Sequence, residues 1–131
     1  MSNMILRERR NTMTNQGFES LREEFLSKEA ELLEWKGQEY GSNYDRLLNF
    51  KEISKFVGLN EADVCLLYLL KHVQSITLAI KDDKYRKKWY WKDENGNEGL
   101  KQRIADARNY LLLLAACIEE EANTDKNENI N

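Results

Sequence analysis

The stretch from Val64 to Ile80, VCLLYLLKHVQSITLAI, constrains the rest of the chain more than any other. Wound as a helix, its first half (Val64 to Leu70) is apolar on every side, which is the mark of a helix enclosed by protein. The second half then places Lys71, the only histidine (His72), Gln74, Ser75 and Thr77 on the same helix. Burying a cation without a partner costs several kcal/mol in order of magnitude. The stretch is therefore expected to run through the middle of the fold, with partners for Lys71 arriving from other helices or from a ligand.

The 131 residues include no proline and show little alternating β-branched pattern, so helices can run long. This length supports one domain with one core. A net charge of −3 argues against general affinity for a nucleic-acid backbone. No apolar run approaches the roughly 18–20 residues of a membrane span, and no signal peptide is read. Cys65 and Cys117 both fall in apolar helical patterns and read as buried, reduced thiols of a cytoplasmic protein. Two cysteines and one histidine at unrelated spacings do not make a metal site.

Residues 1–16 read as a mobile arm carrying Arg7, Arg9 and Arg10, either disordered or reaching over a neighbouring subunit. A single helical domain is expected over 17–121, followed by a disordered tail over 122–131. The first helix is expected from Phe18 to Lys36, with Phe18, Leu21, Phe25, Leu32 and Trp35 as its apolar stripe and Gly37 and Gly41 ending it. A second helix ends at Gly58. Asn60 caps the central helix, with Asp63 three residues on. The connection Asp82 to Gly99 is basic and aromatic, and its Asn95-Gly96 pair permits a short hairpin. The last helix is expected over Glu98 to Glu121. The fold class is thus all-α, a compact bundle of about four helices.

Three constellations carry the candidate chemistry. Antiparallel packing of the last two helices would bring Asp106 and Asn109 toward Lys71 and His72, either as a buried ion pair or as the floor of a polar pocket. In the pocket reading Lys71 faces an anion, Asp106 orients it and His72 serves as donor or acid/base. Lys36, Glu39, Tyr40, Asp45, Arg46 and Asn49 flank two glycines at the start of the second helix, where free backbone N–H groups suit an anion. Trp89, Tyr90 and Trp91, among Lys84, Arg86, Lys87, Lys88 and Lys92, would stack on a base, line a subunit interface or lid the core. Glu31 and Glu34 have the spacing of one magnesium-binding acid pair, but no second pair follows on the later helices.

The blocks KGQEYGSNYDRLLNFKE, LLYLLKHVQSI and EGLKQRIADARNYLLLLAACIEE, spanning Lys36 to Glu121, resemble small all-α bacteriophage proteins of the nucleotide-modification-associated domain family. More distantly they resemble MazG-like nucleotide pyrophosphatases. The matching polar positions are Lys36, Glu39, Tyr40, Asp45, Asn49, Lys71, His72, Arg103, Asp106 and Asn109. The family often carries aspartate where Glu39 stands, and the connection around Trp89 lies outside the resemblance. What the resemblance implies is a phage origin and a nucleotide-like ligand.

The leading expectation is a homo-oligomer of the bacterial host cytoplasm that binds a nucleotide-like small molecule between helices. Sequestration of a host defence signal is one form of that anti-defence role. Lys36, Glu39, Tyr40, Asn49, Lys71, His72, Arg103, Asp106 and Asn109 are its ligand-binding candidates, with no cofactor, no resident metal, no membrane and no stable nucleic-acid partner. The second expectation is a nucleotide-processing enzyme using His72 or Asp106 with Mg²⁺. The third is a protein–protein inhibitor or scaffold whose tryptophan loop is the interface.

Overall fold

The structure is a computed structural model and describes residues 12–40, 45–82 and 88–130, except the side chains of 39, 40 and 127–130. Four helices make up the fold: α1 (Asn15–Tyr40), α2 (Leu48–Val57), α3 (Glu61–Lys81) and α4 (Leu100–Ile130). The all-α bundle of about four helices read from the sequence is the architecture found.

Helix α1 contains no β-branched residue and is rich in Glu and Leu, both strong helix formers. Thr14 Oγ1 caps it by accepting from the Gly17 N–H at 3.0 Å. The helix does not stop at Gly37 as expected but continues to Tyr40. Gly37 instead admits the Arg46 side chain against the helix, where a β-carbon would lie 3.0 Å from Arg46 Nε. Arg46 Nη2 donates to the Leu33 carbonyl at 3.2 Å. A glycine chosen for close approach leaves the helix intact when the helix's own propensity is high.

Helix α2 begins after Asp45, whose Oδ1 accepts from the Leu47 N–H at 3.0 Å, and ends where Gly58 turns left-handed at φ 71°. Lys51 bonds Asp45 at 2.7 Å and Glu120 at 2.8 Å, tying α2 to α4. The expected cap of α3 is present: Asn60 Oδ1 accepts from the Asp63 N–H at 2.8 Å. Cys65 lies against Cys117 and donates to the Tyr110 carbonyl at 3.5 Å, and His72 lies against Tyr110, so α3 and α4 run antiparallel. Phe50, Val64, Cys65, Cys117 and Leu47 form the core, and burial holds the Cys117 thiol up at about 12 and also raises Cys65, so both stay protonated.

The expectation that Val64 to Leu70 is enclosed on all sides is not met. Val64, Cys65 and Leu69 are buried, but Leu66, Leu67 and Leu70 are exposed. Helices α1 and α2 both pack on one side of the α3–α4 pair, and nothing in the chain's described residues covers the other. Helix α3 also has the length and mean hydropathy, 1.3, of a helix able to cross a membrane, which the sequence reading did not grant it.

Between α3 and α4 the hairpin signal is realised as a single antiparallel bridge, Lys92 to Glu98, around Gly96 at φ 80°. Asp93 holds this turn by accepting from the Asn95 and Asn97 N–H groups at 2.9 and 2.8 Å. Helix α4 runs through the residues expected as a tail, to Ile130. Most of the expected N-terminal arm lies outside the described residues, and its last two residues already belong to α1.

Candidate functional site

The polar residues singled out on separate segments do converge, but with different partners. Lys36 Nζ of α1 bonds Asp106 Oδ1 of α4 at 2.9 Å, the lysine side chain 26 % exposed and the aspartate 2 %. Lys36 also lies 5.8 Å from the Tyr110 ring centre, a cation–π distance. Asn109 Nδ2 donates to the Glu29 carbonyl at 3.2 Å, and Arg108 Nε meets Glu29 Oε1 at 2.7 Å without a well-aligned hydrogen bond. Burial raises the Glu29 carboxyl, and Arg108 offsets part of that. This cluster fastens α1 across α4.

Lys71 does not hold the place expected of it. It is exposed on α3 and does not meet Asp106. Lys71 lies seven residues after buried Val64, hence on the same helical face, but α2 is only ten residues long and flanks just the first half of α3. Two turns further on, the face is open. The partner of Asp106 comes instead from α1, which the register of α3 against α4 could not reveal.

His72 packs on Tyr110 in a tilted arrangement, with ring centres 4.9 Å apart and planes at 32°. Burial holds its imidazole below the ordinary 6.5, with Asp106 pulling the other way and Lys36 adding to the depression. A histidine with a lowered folded value contributes stability above its unfolded value that is lost as pH falls through the folded one. Titration of the His72 ring by NMR is therefore expected to give a midpoint below about 6.5, its contribution to stability being lost as pH falls through that midpoint. A midpoint above 6.5 contradicts this environment.

Asn49 and Arg46 reach the same cluster. With Lys36, Asp106, Asn109 and Tyr110 they line a cavity of about 30 Å³, and the Asn49 Oδ1 is buried there without a hydrogen-bond partner. That space admits about one water molecule, not a nucleotide. The inner polar cluster is thus mainly a structural joint. Glu39 and Tyr40 side chains, and residues 83–87 of the aromatic connection, lie outside the described residues. Arg103 is half-buried on α4 and lines neither this cavity nor the groove below.

A larger groove, about 570 Å³, opens beside that joint between α1, the connection and the start of α4. It is lined by Lys28, Glu31, Leu32, Trp35 and Lys36 of α1, Trp91 and Lys92 of the connection, and Glu98 and Gln102. Trp91 packs on Phe25, with ring centres 4.9 Å apart, and Lys28 Nζ stands 5.8 Å from the Trp91 ring. Gln102 Nε2 donates to Glu98 Oε1 at 3.0 Å. Trp89 is the wall of a separate hollow with Phe18, Phe25 and Arg108, and stacks on Phe25 at 6.3 Å. Of the three neighbouring aromatics only Trp91 enters the groove; Tyr90 turns its carbonyl against Gly99.

Lys28, Trp35 and Gln102 are groove residues that sequence reasoning missed, whereas Lys92 and Trp91 belong to the aromatic and basic constellation it named. Trp35 was assigned to the core stripe of the first helix, yet it is 57 % exposed. The signal was present: Lys28, Glu31, Leu32 and Trp35 recur at i, i+3, i+4 and i+7 and so share one face. Glu31 and Glu34, the acid pair noted above, are both exposed. No cluster of three or more metal-ligating side chains occurs among the described residues. Compared with known protein families, with curated proteins and with solved structures, the chain has no significant match.

Proposed function

We propose that this chain binds a nucleotide or nucleotide-derived phosphate in the groove between α1, the aromatic connection and α4. The observation that carries the reading is one groove of about 570 Å³ that combines the Trp35 and Trp91 rings with Lys28, Lys36 and Lys92. That volume is in the range of small-molecule sites. Indole faces stack on a base, and lysine ammonium groups take phosphate charge. Lys36 is held by buried Asp106 at 2.9 Å, whereas Lys28 has only an exposed, 3.5 Å pairing with Glu31, so Lys28 and Lys92 carry the phosphate, while Gln102 supplies an amide to the base or sugar. The two glutamates in the lining favour a ligand of modest charge, a nucleoside mono- or diphosphate type over a polyanion.

Binding is the reading preferred to turnover, because the groups that catalysis would use are engaged. Asp106 is buried in its ion pair and His72 is packed against Tyr110 outside the groove lining. The phage-type resemblance makes host signalling nucleotides the first ligands to try, with sequestration as the role.

Tryptophan fluorescence titrated with nucleoside phosphates, cyclic dinucleotides and ADP-ribose is expected to quench saturably with at least one of them. Trp35→Leu is expected to weaken that ligand by about tenfold to a hundredfold, since stacking on one ring is worth ~1–3 kcal/mol per base. Because Trp35 is largely exposed, the variant should melt with the wild type. Ligand recovered unchanged by chromatography supports binding over catalysis. Absence of any saturable signal across the panel sinks the proposal.

A further inference from the structure

Helix α3 leaves Leu66, Leu70, Val73, Thr77 and Ile80 on the side away from α2. Their spacing, 4-3-4-3, is the seam of a helix that packs against another helix. On α4, Leu111 and Ile118 lie on the same side of the α3–α4 pair, because α1 packs on the opposite flank. Leu66, Leu70, Val73, Ile80, Leu111 and Ile118 are between 41 % and 57 % exposed. They make one continuous apolar face on two antiparallel helices. A soluble chain rarely leaves such a face to water.

We infer that this face is covered by a second copy of the chain, packed across a two-fold axis that passes beside Val73, with α3 antiparallel to its counterpart. Three observations favour this occupant. First, area suffices: α3 is ~30 Å long and the helix pair ~20 Å across, so the contact is roughly 600 Å² per partner, near the lower bound for a stable dimer. Second, the seam is close to symmetric about Val73, so Leu66 of one copy meets Ile80 of the other and Leu70 meets Thr77. Third, the ends are charge-complementary: Asp63 lies in the first turn of α3 and Lys81 in the last, and an antiparallel pairing sets each near the other. The dimer is an eight-helix body whose centre is a four-helix bundle of two α3–α4 pairs. Leu66 and Leu70 of the stretch from Val64 to Leu70 then acquire the enclosure that their composition demands.

The inference is independent of the nucleotide reading, since the groove lies on the α1 side and stays open in the dimer. Sedimentation equilibrium and light scattering on the full chain are expected to report twice the chain mass, with dissociation in the micromolar range or tighter. Leu70→Glu together with Val73→Glu is expected to weaken association by about a hundredfold or more by placing facing carboxylates in an apolar seam, while circular dichroism stays helical. Val73→Cys should cross-link two chains under mild oxidation, because Cys65 and Cys117 are buried and do not compete. A wild type that remains monomeric overturns the inference, as does a double-glutamate variant that still dimerises. Partition of α3 into lipid vesicles in place of self-association overturns it equally. A dimer that binds no nucleotide leaves this inference standing and removes only the proposed function.

Discussion

Lys36→Met is expected to lower the unfolding free energy by about 3 kcal/mol, seen as a fall of roughly 10–15 °C in melting temperature. The physical reason is an asymmetry between the partners. The Asp106 side chain is 2 % exposed and its carboxylate bonds Lys36 at 2.9 Å. Removing the ammonium leaves a negative charge in the protein interior, where the adjoining cavity has room for about one water and not for bulk solvent. The lysine side is a quarter exposed, so removal of Asp106 leaves a charge that solvent can still reach. Asp106→Leu is therefore expected to cost less than Lys36→Met. The double variant Lys36→Met/Asp106→Leu is expected to recover most of the loss, as replacement of a buried pair by apolar groups often does. A double variant that is additive in its two losses would show that Asp106 and Lys36 do not act as a pair.

Gly99→Ala is expected to cost about 2–3 kcal/mol, an overpacking effect with no chemistry in it. A β-carbon at Gly99 would overlap the Tyr90 carbonyl oxygen and crowd the Tyr90 ring. The obstacle is backbone, held by the Gly99 N–H donating to the Trp91 carbonyl at 2.8 Å, so it cannot swing aside as a long side chain would. The connection must shift, and Trp91 moves with it. The near-ultraviolet circular dichroism of the tryptophans is therefore expected to change along with the melting temperature. Gly96→Ala is the control: its surroundings are open, and only its φ of 80° opposes a side chain. That backbone strain is worth about 1 kcal/mol, so a Gly96 variant less stable than the Gly99 variant contradicts the steric account.

Most of the fold could be read from the chain. The Asn60 cap, the Gly58 stop and the Asn95-Gly96 turn are local signals, and each is present where its residues stand. Helix α1 overran its expected end because Gly37 answers to Arg46, a residue on another segment. The candidate site was legible only in part. Lys36, Asn49, Asp106 and Asn109 were rightly drawn toward one place by their polarity near apolar stripes, and they line one small cavity. The groove itself went unread because Trp35 looks like a core residue, and Trp91 shows no partner on α1 or α4, until three segments are assembled around them.

By itself the sequence determined what depends on neighbours a few residues away: helix identity, capping, turns, and the apolar face of each helix. Only the tertiary structure decided which charge meets Asp106, which tryptophan faces the groove, and which side of the central helix remains uncovered. Composition around a helix states how much apolar surface must be buried, but not whether the same chain buries it. In Val64 to Leu70 the short α2 flanks one side and α4 another, and Leu66, Leu67 and Leu70 are left uncovered by the described residues.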